Sequence, residues 1–190
     1  MLNQKILQLT KELQLSSGGH IFYYFHDEQR YIENAVSYIH AGIEQGDCVL
    51  IIENERIFPS VYKKMQSLLT EEQLTMIHYI NNFDFYCLNG DFHSETILDY
   101  FSSILDPYLT KNISIRTWAH VEWGNIGEIT DVIGEFENQA NKAVSSLELI
   151  SVCAYDADRV PDSLKESLLR SHEFLMTDEE IKKQTIEQEK

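Results

Sequence analysis

Five short apolar runs along the chain each break off into polar side chains. Gly19 to Phe25 runs into His26 and Asp27, Cys48 to Ile52 into Glu53 and Asn54, and Met76 to Ile80 into Asn81 and Asn82. Ile113 to Ala119 runs into His120 and Glu122, and Leu147 to Ala154 into Tyr155, Asp156 and Asp158. Stretches with helical spacing separate these runs, so the pattern predicts parallel strands of an α/β fold. The expected architecture is a three-layer α/β/α sandwich around a mostly parallel central sheet of five or six strands. The polar residues then collect at the carboxyl edge of the sheet, where open α/β sheets bind ligands.

Leu2, Ile6, Leu9 and Leu13 form a helical stripe that Ser16, Ser17, Gly18 and Gly19 break. Such a stripe docks on the domain or serves as a seam for a partner or a second copy of the chain; two heptads are too short for a free-standing coiled coil, so docking is expected. Glu28 to Gln45 reads as a helix with Ile32, Val36, Ile39 and Ile43 on one face and Gly46 at its end. Pro59 opens a helix running through Leu69, and Ser94 to Leu109 forms another, with Pro107 tolerated because the helix is ending. From Gly127 to Ser146 a long helix turns Ile129, Val132, Ile133, Phe136, Ala140 and Val144 inward. Phe83 to Leu88 reads as a short strand or a loop, Pro161 starts a last helix, and Asp178 to Lys190 reads as a charged helical or frayed tail. The expected organisation is an amphipathic helix over 1–15, one domain over 16–176 and a tail over 177–190.

A chain of 190 residues, 43% hydrophobic and 24% charged, suits one soluble domain with a sizeable core. Fifteen basic against 31 acidic residues repel a phosphate backbone, and no basic patch offsets this, so no direct nucleic-acid contact is expected. No apolar run approaches the roughly 20 residues of a membrane span, and the amino terminus lacks signal-peptide order, so a cytoplasmic protein is expected. Cys48, Cys87 and Cys153 have no CxxC spacing, and Cys48 and Cys153, inside apolar strand runs, read as small buried hydrophobes.

Several chemistries lack their motifs. There is no G-x-x-x-x-G-K-[ST] loop, and the Gly18–Gly19 pair precedes the first strand instead of following it, which argues against nucleotide hydrolysis. There is also no G-x-S-x-G, H-E-x-x-H or deaminase signature. His26, Asp27, Glu53, His120, Glu122 and Asp156 are enough for a mononuclear nitrogen and oxygen site, but their spacing does not specify one and strand-end capping and turn duties are the leading explanation, so no metal or cofactor is expected. Arg116 interrupts an apolar strand, which calls for a carboxylate partner such as Glu53, Glu122 or Asp156, or for an anionic ligand. His20 at the start of the first strand is either a core histidine or a ligand contact. Trp118, Trp123 and Tyr155 are available as walls of an apolar pocket.

Gly19, His20 and Ile21 opening a strand, Glu53 closing a second, Arg116 to Trp123 followed by Glu135, Glu137 and Asn141, and then Cys153, Tyr155, Asp156 and His172 together resemble the methanogen/methylotroph DcmR sensory (MEDS) domain. The likeness covers roughly residues 16 to 175. It departs at Phe22, where a cysteine is usual, and at Glu173, where proline is usual. The resemblance implies a RecA- and KaiC-like fold without a working phosphate loop, and a cytoplasmic sensor for small organic ligands that works with DNA-binding or kinase modules.

The expectation is therefore a non-catalytic sensor that binds a small organic molecule at the carboxyl edge, with His20, His26, Glu53, Arg116, Trp118, His120, Glu122, Tyr155 and Asp156 around it. The residues after 175 are too few for an output module, so signalling is expected to pass to a separate kinase or transcription regulator. The alternative is an interaction module with a vestigial edge.

Overall fold

The computed structural model describes residues 2–16, 18–88, 90, 92–124 and 129–184. In chain order the elements are α1 (Gln4–Leu15), β1 (Gly19–Phe25), α2 (Glu28–Glu44), β2 (Cys48–Glu53), α3 (Phe58–Gln66), α4 (Glu71–Leu74) and β3 (Ile77–Asn81). There follow α5 (Asn82–Tyr86), α6 (Ser94–Thr110), β4 (Ile115–His120), α7 (Ile129–Ser146), β5 (Ile150–Asp156), α8 (Asp162–Ser171), β6 (Phe174–Met176) and β7 (Ile181–Lys183). The strands form one sheet in the order β3-β2-β4-β5-β1-β6-β7, parallel except for β7.

Alternation along the strands divides the core into two layers. Ile21, Tyr23, Phe25, Val49, Ile51, Trp118 and Val152 pack with the apolar residues of α1, α2 and α3. Phe22, Leu50, Ile52, Ala119, Cys153 and Tyr155 pack with those of α5 to α8. This is the expected three-layer sandwich. Ile6, Leu9 and Leu13 of α1 are buried, so the stripe is docked internally, each side chain contributing about 1.5–3 kcal/mol. Asn3 fastens the start of that helix to α2, its backbone N–H donating to Ser37 Oγ at 2.8 Å and its amide to Asn34 Oδ1 at 2.9 Å.

The sheet is larger than the spacing of apolar runs predicts, because its last two strands are only three residues long. Thr177 N–H donates to Glu180 O at 2.8 Å, closing the β6–β7 hairpin within a segment whose charge reads as a helical or frayed tail. Lys182 and Lys183 sit on this exposed edge, a placement that discourages pairing with another sheet. Residues 185–190 of that tail lie outside the described residues. Phe83 to Leu88, read as strand or loop, contains α5, which starts because the Asn81 side chain accepts from the N–H groups of Phe83 and Asp84. The expected start of α7 at Gly127 also lies outside the described residues. Within α7, Val132 faces solvent and Glu137 takes an inward position that the spacing assigns to apolar groups.

Gly18 makes the turn into β1 at φ +89°, and a Cβ there would lie 2.4 Å from Leu149 O and 2.6 Å from Glu148 O. Gly18→Ala is expected to cost about 2 kcal/mol, from both left-handed strain and this backbone clash. The urea midpoint of the variant checks this, and an unchanged midpoint would mean that the turn relaxes freely.

β1 passes into α2 through His26 and Asp27 alone. The helices after β1 and β2 cover one face, while those after β3, β4 and β5 cover the other. The neighbouring strands β2 and β4 therefore send their chains to opposite sides, and a crevice opens beyond their carboxyl ends. Among the described residues no helix is long and apolar enough to cross a membrane.

Candidate functional site

Glu53 ends β2 and His120 ends β4, and both are buried at this crevice. His120 Nδ1 lies 2.7 Å from Glu53 Oε1, which also accepts from Asn54 N–H at 2.8 Å. The Tyr31 hydroxyl, held by Trp118 Nε1 at 2.8 Å, donates to Glu53 Oε2. Burial opposes a charge on His120, yet the charge and hydrogen bond of Glu53, with Glu122 and Asp156 beyond, raise its pKa above the usual histidine value. Asn82 donates to the His120 carbonyl at 3.1 Å and to Glu122 Oε2 at 2.6 Å, and Asn54 donates to the same oxygen at 3.2 Å. Partial burial works against ionisation of Glu122, but His120, these two amides and Arg159 hold its carboxyl below the usual range.

Above this network lies a recess of about 160 Å³ lined by Asn82, Phe83, Cys87, Glu122, Trp123, Gly124 and Arg159. The Arg159 guanidinium lies 4.8 Å from the Trp123 ring centre and donates to the Trp123 carbonyl. The indole Nε1 of Trp123 is buried and has no partner among the described residues. Apolar walls with a carboxylate, an amide and a guanidinium at the rim suit a small molecule with one polar end.

A second constellation lies beneath α7, on the opposite face of the sheet. His20 of β1 and Cys153 and Tyr155 of β5 meet Glu137 of α7 and His172, which follows α8. The two imidazoles stack with ring centres 3.9 Å apart. His20 Nε2 is 3.3 Å from Cys153 Sγ and 3.6 Å from Glu137 Oε2, and His172 Nε2 is 3.5 Å from the same carboxylate oxygen. Burial lowers the pKa of His20 to about 4, against hydrogen bonds to the Ser171 backbone and Asn141. Burial and then His20 hold His172 well below its usual value, and burial lifts Glu137 to about 7 and the Cys153 thiol well upward. A cavity of about 30 Å³ adjoins the group, with His20 and Cys153 in its wall beside Ile52, Phe85, Tyr86 and Phe136. That volume takes one or two waters and no organic ligand.

The residues singled out from the sequence therefore divide. Glu53, Trp118, His120 and Glu122 converge at the β2/β4 crevice. His20 and Tyr155 lie under α7, where the Tyr155 hydroxyl donates to Glu137 Oε1. Asp156 caps the short 3-10 turn Ala157–Arg159 by accepting from Asp158 N–H, and His26 is exposed beside Tyr24. Arg116 is the second residue of β4 and sits near the amino end of the sheet, roughly 13 Å along the strand from His120. Its carboxylate partner is Asp47, and none of Glu53, Glu122 and Asp156 reaches it. Spacing puts Asn54 and Asn82 at strand ends without assigning them to the site, and it passes over Tyr31, Arg159 and Glu137. Glu137 had a usable signal, since it lies four residues after Ile133 and three before Ala140 on an otherwise apolar stripe.

Fold and site together define a doubly wound α/β domain with a ligand-sized recess at a topological switch point. The family model of the MEDS domain (MEthanogen/methylotroph, DcmR Sensory domain) matches residues 19–173. The chain belongs to this family, and membership assigns it a sensory or regulatory role. Its architecture is compatible with a RecA-like fold. No curated protein matches the chain.

Proposed function

We propose that this chain is a non-catalytic cytoplasmic sensor that takes up a small organic molecule in the recess over Glu122 and passes the signal to a separate regulatory protein. The observation that carries the reading is the recess itself, about 160 Å³ at the β2/β4 switch point. A cavity of roughly 150 Å³ accepts a benzene-sized guest, so the ligand is small. Phe83 and Trp123 enclose its apolar part, while the Arg159 guanidinium at the rim provides for an oxygen-bearing end. The rim includes α5, and α6 behind it fully buries only Ile97 and Leu105. This pair of helices is the cover that a ligand displaces most readily. A response then requires that the ligand bind the two arrangements of that cover with different affinity.

Gly124 lines the recess, and a Cβ placed there meets nothing within 4 Å. Gly124→Leu therefore adds an apolar side chain at the wall of the recess with no clash at its Cβ. Native mass spectrometry of the freshly purified protein, compared with its denatured mass, is expected to show a discrete organic adduct that the variant lacks. Phenol added to ligand-stripped protein is expected to quench indole fluorescence saturably in the wild type and at least about tenfold more weakly in Gly124→Leu. No adduct and no saturable response would sink this reading.

A further inference from the structure

We propose that His20, Glu137, Cys153 and His172 form a buried site for one zinc-class divalent transition-metal ion. The inference is independent of the organic ligand, because this group lies across the sheet from the Glu53–His120 pair and contributes nothing to the recess over Glu122.

The geometry carries it. One ligand atom from each of the four side chains lies within 4.8 Å of all the others, and all four residues are buried. Three of the separations, at 3.3, 3.5 and 3.6 Å, match the edges of a tetrahedron around zinc, about 3.3–3.6 Å for bonds of about 2.0–2.3 Å. The outer hydrogen bonds leave one donor atom of each side chain available, and the two stacked imidazoles need only tilt toward each other to share an ion. His172 Nδ1 is 2.7 Å from the Leu168 carbonyl, which can only accept, so the ring proton is there and Nε2 turns a bare lone pair inward. His20 Nδ1 lies 3.2 Å from Asn141 Oδ1, which leaves its Nε2 in the same role. Tyr155 holds Glu137 Oε1, so Oε2 is the oxygen that points into the group. Outer hydrogen bonds of this kind fix the tautomer and rotation of metal-bound imidazoles and carboxylates.

Within the protein alone these donors are only partly satisfied, the Cys153 thiol being shared between His20 Nε2 and the Glu137 carboxylate. His172 Nε2 and Glu137 Oε2 are buried 3.5 Å apart, and neither has a hydrogen-bond partner among the described residues. Unpaired buried acceptors are costly, and the ion pairs of Glu137 among the described residues are to these two histidines, with no lysine or arginine. A divalent cation answers every one of these groups at once. With one thiolate, one carboxylate and two neutral imidazoles it makes an electrically neutral complex, which a dry interior tolerates. Binding releases the thiol proton of Cys153, and that of Glu137 where it is protonated, to solvent. Two nitrogens, a sulfur and an oxygen as the donor set favour zinc over magnesium or calcium. The ion would tie β1, β5, α7 and the end of α8 together.

The test uses the full chain, stripped with a chelator and titrated with Co²⁺ as a spectroscopic probe and Zn²⁺ in competition. The expected result is one Co²⁺ per chain, with tetrahedral visible bands and a thiolate-to-cobalt charge-transfer band that equimolar Zn²⁺ abolishes. Cys153→Ser is expected to remove the charge-transfer band, and Glu137→Gln to weaken binding at least about 100-fold. Asn141→Leu, which touches no ion, is expected to weaken it about 10- to 100-fold. If Cys153→Ser fails to fold, thermal unfolding of the chelator-stripped wild type decides, since a saturating stoichiometric amount of Zn²⁺ must raise its Tm while Mg²⁺ leaves it unchanged. Absence of a thiolate band in the wild type, its persistence in folded Cys153→Ser, or a Tm unmoved by Zn²⁺ would each overturn the proposal.

Discussion

Asp47→Ala is expected to destabilise the protein by about 3–5 kcal/mol, the range for stripping one partner from a buried ion pair. Asp47 Oδ2 accepts from Arg116 Nε at 2.7 Å and from NH2, while Oδ1 accepts from the Ser114 hydroxyl. The guanidinium also donates to Gln45 Oε1 at 2.8 Å and lies 5.5 Å from the Tyr38 ring centre. It is packed so closely against α2 that a Cβ at Gly42 would come within 2.7 Å of Arg116 Cδ. With Asp47 removed, a full positive charge remains buried with one neutral acceptor, and the side chain has no room to swing out. Such a loss is a large part of a typical domain stability of about 5–15 kcal/mol. Urea denaturation measures it, and the double variant Asp47→Ala/Arg116→Met is expected to recover most of the loss, because what destabilises is the orphaned charge. A loss below about 1 kcal/mol would show that water reaches the pair through the amino edge.

Glu53→Gln is expected to cost about 3 kcal/mol, since an amide oxygen replaces a carboxylate that accepts from Tyr31 and pairs with His120, and hydrogen bonds to charged groups contribute about 1.5–3 kcal/mol each. The effect depends on pH with a definite sign. Burial alone would lower the pKa of His120, and the raised value reflects Glu53 first among its neighbours. A histidine whose folded pKa is raised contributes stability that is fully present below its unfolded value, about 6.5, and is lost as pH rises through the folded pKa. The difference in unfolding free energy between wild type and Glu53→Gln should therefore be largest at acid to neutral pH and shrink above it. The difference isolates this pair, because other buried groups such as Glu137 and His20 titrate in both proteins. A difference that stays flat from pH 5 to about 9 would mean that His120 carries no proton in the native state.

Much of the fold was legible because strands buried on both faces must be apolar along their whole length. β1, β2, β4 and β5 announce themselves in this way, while the edge strand β3 shows as a short run that the exposed His78 interrupts. The helices between them carry their spacing openly, and the stripe of α1 proves to be docked. The short β6–β7 hairpin escaped because it is partly exposed, and its three-residue strands are too brief to show alternation. The carboxyl-edge position of Glu53, His120 and Glu122 follows from strand polarity. Arg116 shows the limit of that inference: its place early in β4 put it near the wrong end for the crevice, and the acid that neutralises it stands in a turn 69 residues earlier.

What the sequence by itself determined is the layer architecture, the family and the gathering of polar residues beyond the strand ends, because these depend on local periodicity and chain direction. Which polar residues share a site was decided by strand order and helix placement. β5 lies beside β1, so Cys153 comes within reach of His20, while α7 crosses above them and lowers Glu137 between the two histidines. Those four side chains are separated by up to 152 residues in sequence and by less than 5 Å in space. Only long-range packing, in which each element satisfies its own apolar face, brings such groups together.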